Sequence, residues 1–129
     1  MKKIFMPLIF LAAIVSMGCS LKPLQNVADE PVITASGKTP TMDEVSKSIM
    51  RAGVGLGWTI KPLEAGHMLG TLNLREHTAV VDIRYTVKMY SITYKDSTNL
   101  NYDGSNIHRN YNGWIQNLNK RIRAQLIEL

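Results

Sequence analysis

Three histidines, His67, His77 and His108, and a single cysteine, Cys19, are the side chains in this sequence best suited to chemistry. A metal centre would place such ligands a few residues apart on one element, or in paired cysteines. The histidines stand ten and thirty-one residues apart, with no H-x-x-x-H pair and no cysteine near them. That spacing predicts turn or surface roles, no metal and no cofactor. A serine hydrolase would need a nucleophile elbow, and no G-x-S-x-G is present. The nearest approach to catalytic spacing is His108 with Asp96 or Asp103 around one polar stretch, which supports an envelope hydrolase only as an alternative. Gly53, Gly55 and Gly57 follow a helical pattern and precede a strand. Phosphate-binding loops run in the opposite order, so these glycines are expected to stop a helix.

The densest concentration of recognition chemistry runs from Tyr90 to Trp114, a stretch rich in Tyr, Asn and Ser. Tyr94, Asp96, Asn99, Tyr102, His108, Tyr111 and Trp114 are the candidate binding residues. Aromatic rings offer stacking surface with polar tips, and Asn99, Asn101, Asn106, Asn110 and Asn112 offer both donors and acceptors, a combination suited to glycan or peptide. The competing reading puts Tyr90, Tyr94 and Trp114 in the core and uses Asp96, Ser97, Asp103 and Gly104 as turn formers. The elements Y-S-I-x-Y from Tyr90, D-S-x-N-L from Asp96 and I-H-x-N-Y-N-x-W-I from Ile107 resemble the C-terminal signature of a family of small uncharacterised proteobacterial lipoproteins. The resemblance covers roughly Gly57 to Leu118 and implies no particular activity.

The front of the chain carries an address. Lys2 and Lys3 precede an apolar run from Ile4 to Val15, followed by Ser16, Met17 and Gly18 ahead of Cys19. This is signal-peptide grammar. As a helix the run would cover only ~18 Å of a hydrocarbon core about 30 Å thick. Ser16-Met17-Gly18-Cys19 resembles the bacterial lipobox, with Ser16 where that box usually carries Leu. The resemblance implies cleavage after Gly18, lipidation of Cys19 with acyl chains such as palmitate, and a membrane as partner. Three chains would make the anchor permanent, where one is marginal. Ser20, standing where an Asp would favour inner-membrane retention, implies the outer membrane, with the domain facing the periplasm.

Of 15 basic residues two lie in the leader, leaving 13 against 10 acidic ones. They are scattered, whereas a nucleic-acid footprint is a dense stripe, so no nucleic-acid partner is expected. The expected division is a signal peptide over 1–18, a lipidated N-terminus and flexible tether over 19–40, and one domain over 41–129. The tether rests on three prolines and the lack of a sustained period; Leu21, Leu24, Val27, Val32 and Ile33 could instead supply an edge strand.

Within the domain, Thr41 to Glu44 has the form of a capping box, and Met42, Val45, Ile49 and Ala52 recur at helical spacing. Strands are expected from Trp58 to Leu63, from Met68 to Arg75 and along the alternation Ala79, Val81, Ile83, Tyr85, Val87. Tyr90 to Tyr94 is either a fourth strand or the end of a bent third. Tyr111, Trp114, Ile115, Leu118, Ile122, Leu126 and Leu129 predict a terminal amphipathic helix, with Lys120, Arg121 and Arg123 near its negative end. Gly113 inside that helix calls for a close approach to the sheet or loop. The fold class is α+β: an antiparallel sheet of three to four strands with an N-terminal and a C-terminal helix on one face. The functional expectation is a membrane-anchored, non-enzymatic binding or scaffolding module of the cell envelope, its partner an envelope protein or cell-wall glycan. A purely structural envelope lipoprotein is the remaining alternative.

Overall fold

The computed structural model describes residues 20–129; the leader and Cys19 lie outside them. The class is α+β, built from β1 (Leu21–Pro23), β2 (Val27–Pro31), α1 (Met42–Gly55), β3 (Thr59–Glu64), β4 (His67–Leu74), β5 (His77–Tyr85), β6 (Met89–Thr98), β7 (Asn106–His108) and α2 (Arg109–Ile127). Strands β3 to β6 form an antiparallel meander, and β2 adds beside β6, giving the order β2-β6-β5-β4-β3. A separate two-stranded sheet joins β1 to β7.

Helix α1 begins as the sequence demands. The Thr41 hydroxyl accepts from the Glu44 amide, and the Glu44 carboxylate accepts from the Thr41 amide, each at 3.1 Å. Val45, Ile49 and Ala52 are fully buried, but Met42 is 38% exposed and does not join the core face. The helix ends at the glycines: Gly57 takes φ +87°, where a Cβ would be strained, and the Trp58 amide closes back on the Gly53 carbonyl. Gly53 also lets α1 approach β3, for a Cβ there would sit 2.5 Å from Ile60 Cδ1.

The period-two pattern of β5 is realised, with Ala79, Val81, Ile83 and Tyr85 buried against the helices. Met68, Leu72, Tyr90 and Ile92 continue that face, and Tyr111, Ile115, Leu118, Ile122 and Leu126 close it from α2. One core thus lies between a helical layer and one face of the sheet. The Tyr90 to Tyr94 stretch belongs to a separate strand, β6, paired in register with β5 from Tyr85↔Tyr90 onward.

Four expectations are corrected. The sheet has five strands, with a further two-stranded ribbon, instead of three to four. Two of the three extra strands, β1 and β2, come from the segment expected to be a tether, and β7 from the end of the polar loop: residues 21–31 pair with β7 and β6, and Asn112 of α2 accepts from the Gln25 amide and donates to the Pro23 carbonyl. Backbone hydrogen bonding and a buried amide side chain order a segment too short and proline-rich to show a period of its own. No basic residue falls in the last turn of α2; Arg123 instead meets Glu30 of β2 at 3.0 Å. Nor does Gly113 mark a close approach, since a Cβ there would meet nothing within 4 Å.

Candidate functional site

The polar loop between β6 and β7 is held by its own side chains. Leu100 plugs it into the core, while Asn99 and Asn101 adopt φ +58° and +52°, a region Asn tolerates better than most residues. Asp103 accepts from the amides of Ser105 and Asn106, at 2.9 and 2.7 Å. These bonds favour the carboxylate and hold the Asp103 pKa below its ordinary value.

On this frame the tyrosines gather. The Tyr94 and Tyr102 ring centroids are 4.2 Å apart, and Tyr111 meets Tyr94 edge-on at 5.6 Å. Burial pushes the Tyr94 hydroxyl pKa up, with Asp96 and Tyr102 adding to the rise against the Ser97 hydrogen bond. Tyr94, Asp96, Ser97, Asn99, Asn101 and Tyr102 line a cleft of about 380 Å³. Four of the seven candidate residues therefore share one wall. Tyr111 supports that wall from beneath and is itself fully buried.

His108 and Trp114 go elsewhere. His108 caps α2: its Nδ1 accepts from the Asn110 amide at 3.2 Å. That bond leaves the proton of the neutral ring on Nε2, so the capped histidine presents no lone pair outward. Its ring stacks 6.3 Å from His77, which lies 6.4 Å from Trp114 and donates from Nδ1 to the Asn99 carbonyl. The alternative acids are engaged apart from it, Asp96 with the Ser97 amide and Asp103 in its turn. Asn112, expected among the recognition amides, is spent on holding residues 23–25. Among the described residues no group of three or more His, Cys, Asp or Glu side chains is placed to hold a metal ion.

Sequence reasoning placed Asp82 on the outer sheet face but missed the partners gathered around it. His67 Nε2 lies 2.7 Å from Asp82 Oδ1, His67 Nδ1 lies 3.8 Å from Glu64, and Lys95 lies 3.8 Å from the other Asp82 oxygen. Antiparallel pairing of β4 with β5 sets Leu69 opposite Asp82, which brings His67 within reach diagonally. The only signal in the sequence was Asp82 at an outward position of the alternation. Both ring nitrogens face carboxylates, the geometry of an ion-pair network and not of a base poised on a nucleophile.

Burial pushes the Asp82 carboxyl up, but the His67 hydrogen bond and the nearby Lys95 and Arg84 charges outweigh it, and the pKa lies below the ordinary 3.8. A depressed folded pKa contributes stability that is complete above the unfolded value and is lost as pH falls through the folded one. Urea unfolding of Asp82→Asn should therefore change less than that of the unaltered protein between about pH 5 and pH 3. Parallel curves would mean that the carboxylate is not engaged.

A larger hollow of about 680 Å³ lies towards the other end of the sheet, bordered by Met42, Gly66, Arg84, Thr86, Met89 and Ser91, and contains none of the candidate residues. No protein-family model, no curated protein and no solved structure matches this chain.

Proposed function

We propose that the protein is a lipid-anchored, non-enzymatic binding module of the bacterial envelope, cleaved after Gly18, acylated on Cys19 and held on the outer membrane facing the periplasm. Its partner is a glycan or an envelope protein lying close to that membrane. The observation carrying the binding role is the Tyr94/Tyr102 cleft, where two rings in contact, tilted by 36°, sit among Asp96, Asn99 and Asn101. Ring faces with flanking amides suit the apolar faces and hydroxyls of a sugar. The anchor is supported by the basic n-region, the short apolar run and the lipobox-like Ser16-Met17-Gly18-Cys19. Among the described residues no helix is long and apolar enough to cross a membrane.

Docking of the N-terminal segment limits the reach of the module. A flexible tether of twenty residues would range ~25 Å on average. With residues 21–31 paired into the fold, partners are restricted to those within about one domain breadth, ~30 Å, of the bilayer. Purified envelope glycans and crosslinked envelope proteins should be retained by the intact protein. Tyr102→Ala removes an exposed ring without touching the core and should weaken retention about tenfold, the loss of one stacking contact. Retention unchanged by both Tyr102→Ala and Asn101→Ala would remove the cleft from consideration.

A further inference from the structure

We infer that the pole formed by β1, β7, the start of α2 and the β4–β5 turn lies flat against lipid headgroups, so that the anchor fixes the orientation of the domain as well as its location. This rests on acylation of Cys19. The Ser20 carbonyl already accepts from the Arg109 amide, at 3.3 Å, and Leu21 pairs with His108. Cys19 is one peptide unit away, about 3.8 Å between Cα atoms, so lipid on its sulfur brings the first turn of α2 to the headgroup layer.

The surface found there has the chemistry a bilayer surface selects. Leu21 is 38% exposed, and so is Leu74, to 42%, at the β4–β5 turn. They belong to one patch: Leu74 pairs with His77, His77 stacks on His108, and His108 pairs with Leu21. The half-buried Trp114 stands behind His77. Lys22, Arg75 and Arg109 are exposed around these residues, with Glu76 the acid of the turn. Leu and Trp at headgroup depth, ringed by cations, suit an anionic lipid surface. The opposite end of the sheet provides an internal contrast, because Leu63 at the β3–β4 turn is also exposed, to 47%, but lies a strand length of about 25 Å away.

Cys19 is the only cysteine in the chain, and acylation blocks its sulfur, so an introduced cysteine can be labelled alone. The full acylated protein carrying Leu74→Cys or Leu63→Cys, each with a fluorophore, is reconstituted into vesicles of phosphatidylethanolamine and phosphatidylglycerol. A quencher attached to the lipid should quench the Leu74→Cys label about threefold more than the Leu63→Cys label. Equal quenching in protein that floats with the vesicles would overturn the pole and leave the anchor standing. Crosslinking of the Leu74→Cys site to a second copy would overturn it equally, because the pole would then be a self-association surface. Protein that neither floats nor carries acyl mass would overturn the anchor itself, and these outcomes are separable in one preparation.

Discussion

A chain beginning at residue 41 is expected to unfold at clearly lower urea than one beginning at Ser20, having lost roughly 4 to 6 kcal/mol, and to associate on a sizing column. Sequence pattern alone would recommend that shorter version, because the preceding twenty residues read as linker. In the fold they bury parts of Leu24, Val27 and Val32 against the core, each contributing about 1 kcal/mol at half burial. Their removal also breaks the two hydrogen bonds that the Asn112 amide makes with the Pro23 and Gln25 backbone, about 0.5 to 1.5 kcal/mol each. It also uncovers β6 from Met89 to Ile92, along the ladder Val27↔Ile92, Glu30↔Tyr90 and Pro31↔Met89, and leaves the whole of β6 as an open edge. The Glu30 to Arg123 pair goes as well, with little effect because both partners reach solvent. Identical urea midpoints for the two versions would show that β1 and β2 do not dock in solution, and the membrane pole would fall with them.

Two buried tyrosines should respond with opposite sign to the same substitution. Tyr90 donates its hydroxyl to the Asn119 side chain, and both residues are buried. Burial and the neighbouring Glu30 charge push the Tyr90 pKa up to about 12, so the donor keeps its proton at any ordinary pH. Tyr90→Phe leaves the Asn119 oxygen without its donor and should cost about 1 to 3 kcal/mol. Tyr111 has the same fully enclosed ring, yet its hydroxyl finds no hydrogen-bond partner among the described residues. Tyr111→Phe removes a desolvated group that gains nothing from the fold, and should leave stability unchanged or raise it by up to about 1 kcal/mol. Tyr111→Ala deletes the ring beneath Tyr94 and should cost about 3 to 5 kcal/mol, carrying the cleft wall with it. Paired urea melts measure all three. Equal losses for the two Phe variants would mean that the Tyr111 hydroxyl is engaged after all.

How far the site could be read from the chain differs residue by residue. Tyr94, Asp96, Asn99 and Tyr102 do meet in one cleft, and this was legible because they fall within nine residues of a single strand and loop. His108 carried the same compositional signal but spends its ring nitrogen on a helix cap, a role set by where α2 begins. The pairing of His67 with Asp82 was not legible because fifteen residues separate them, and only the β4–β5 register closes that gap.

The sequence by itself determined the capping box and glycine stop of α1, the buried face of β5 and the apolar stripe of α2, because each depends on contacts a few residues apart whose period is written in the residue types. Tertiary structure alone decided that residues 21–31 are strands, that Asn112 binds them and that His67 meets Asp82. Those choices belong to edges and partners brought from sixty or more positions away along the chain, or from another strand, where an unpaired backbone or a buried charge must find its complement.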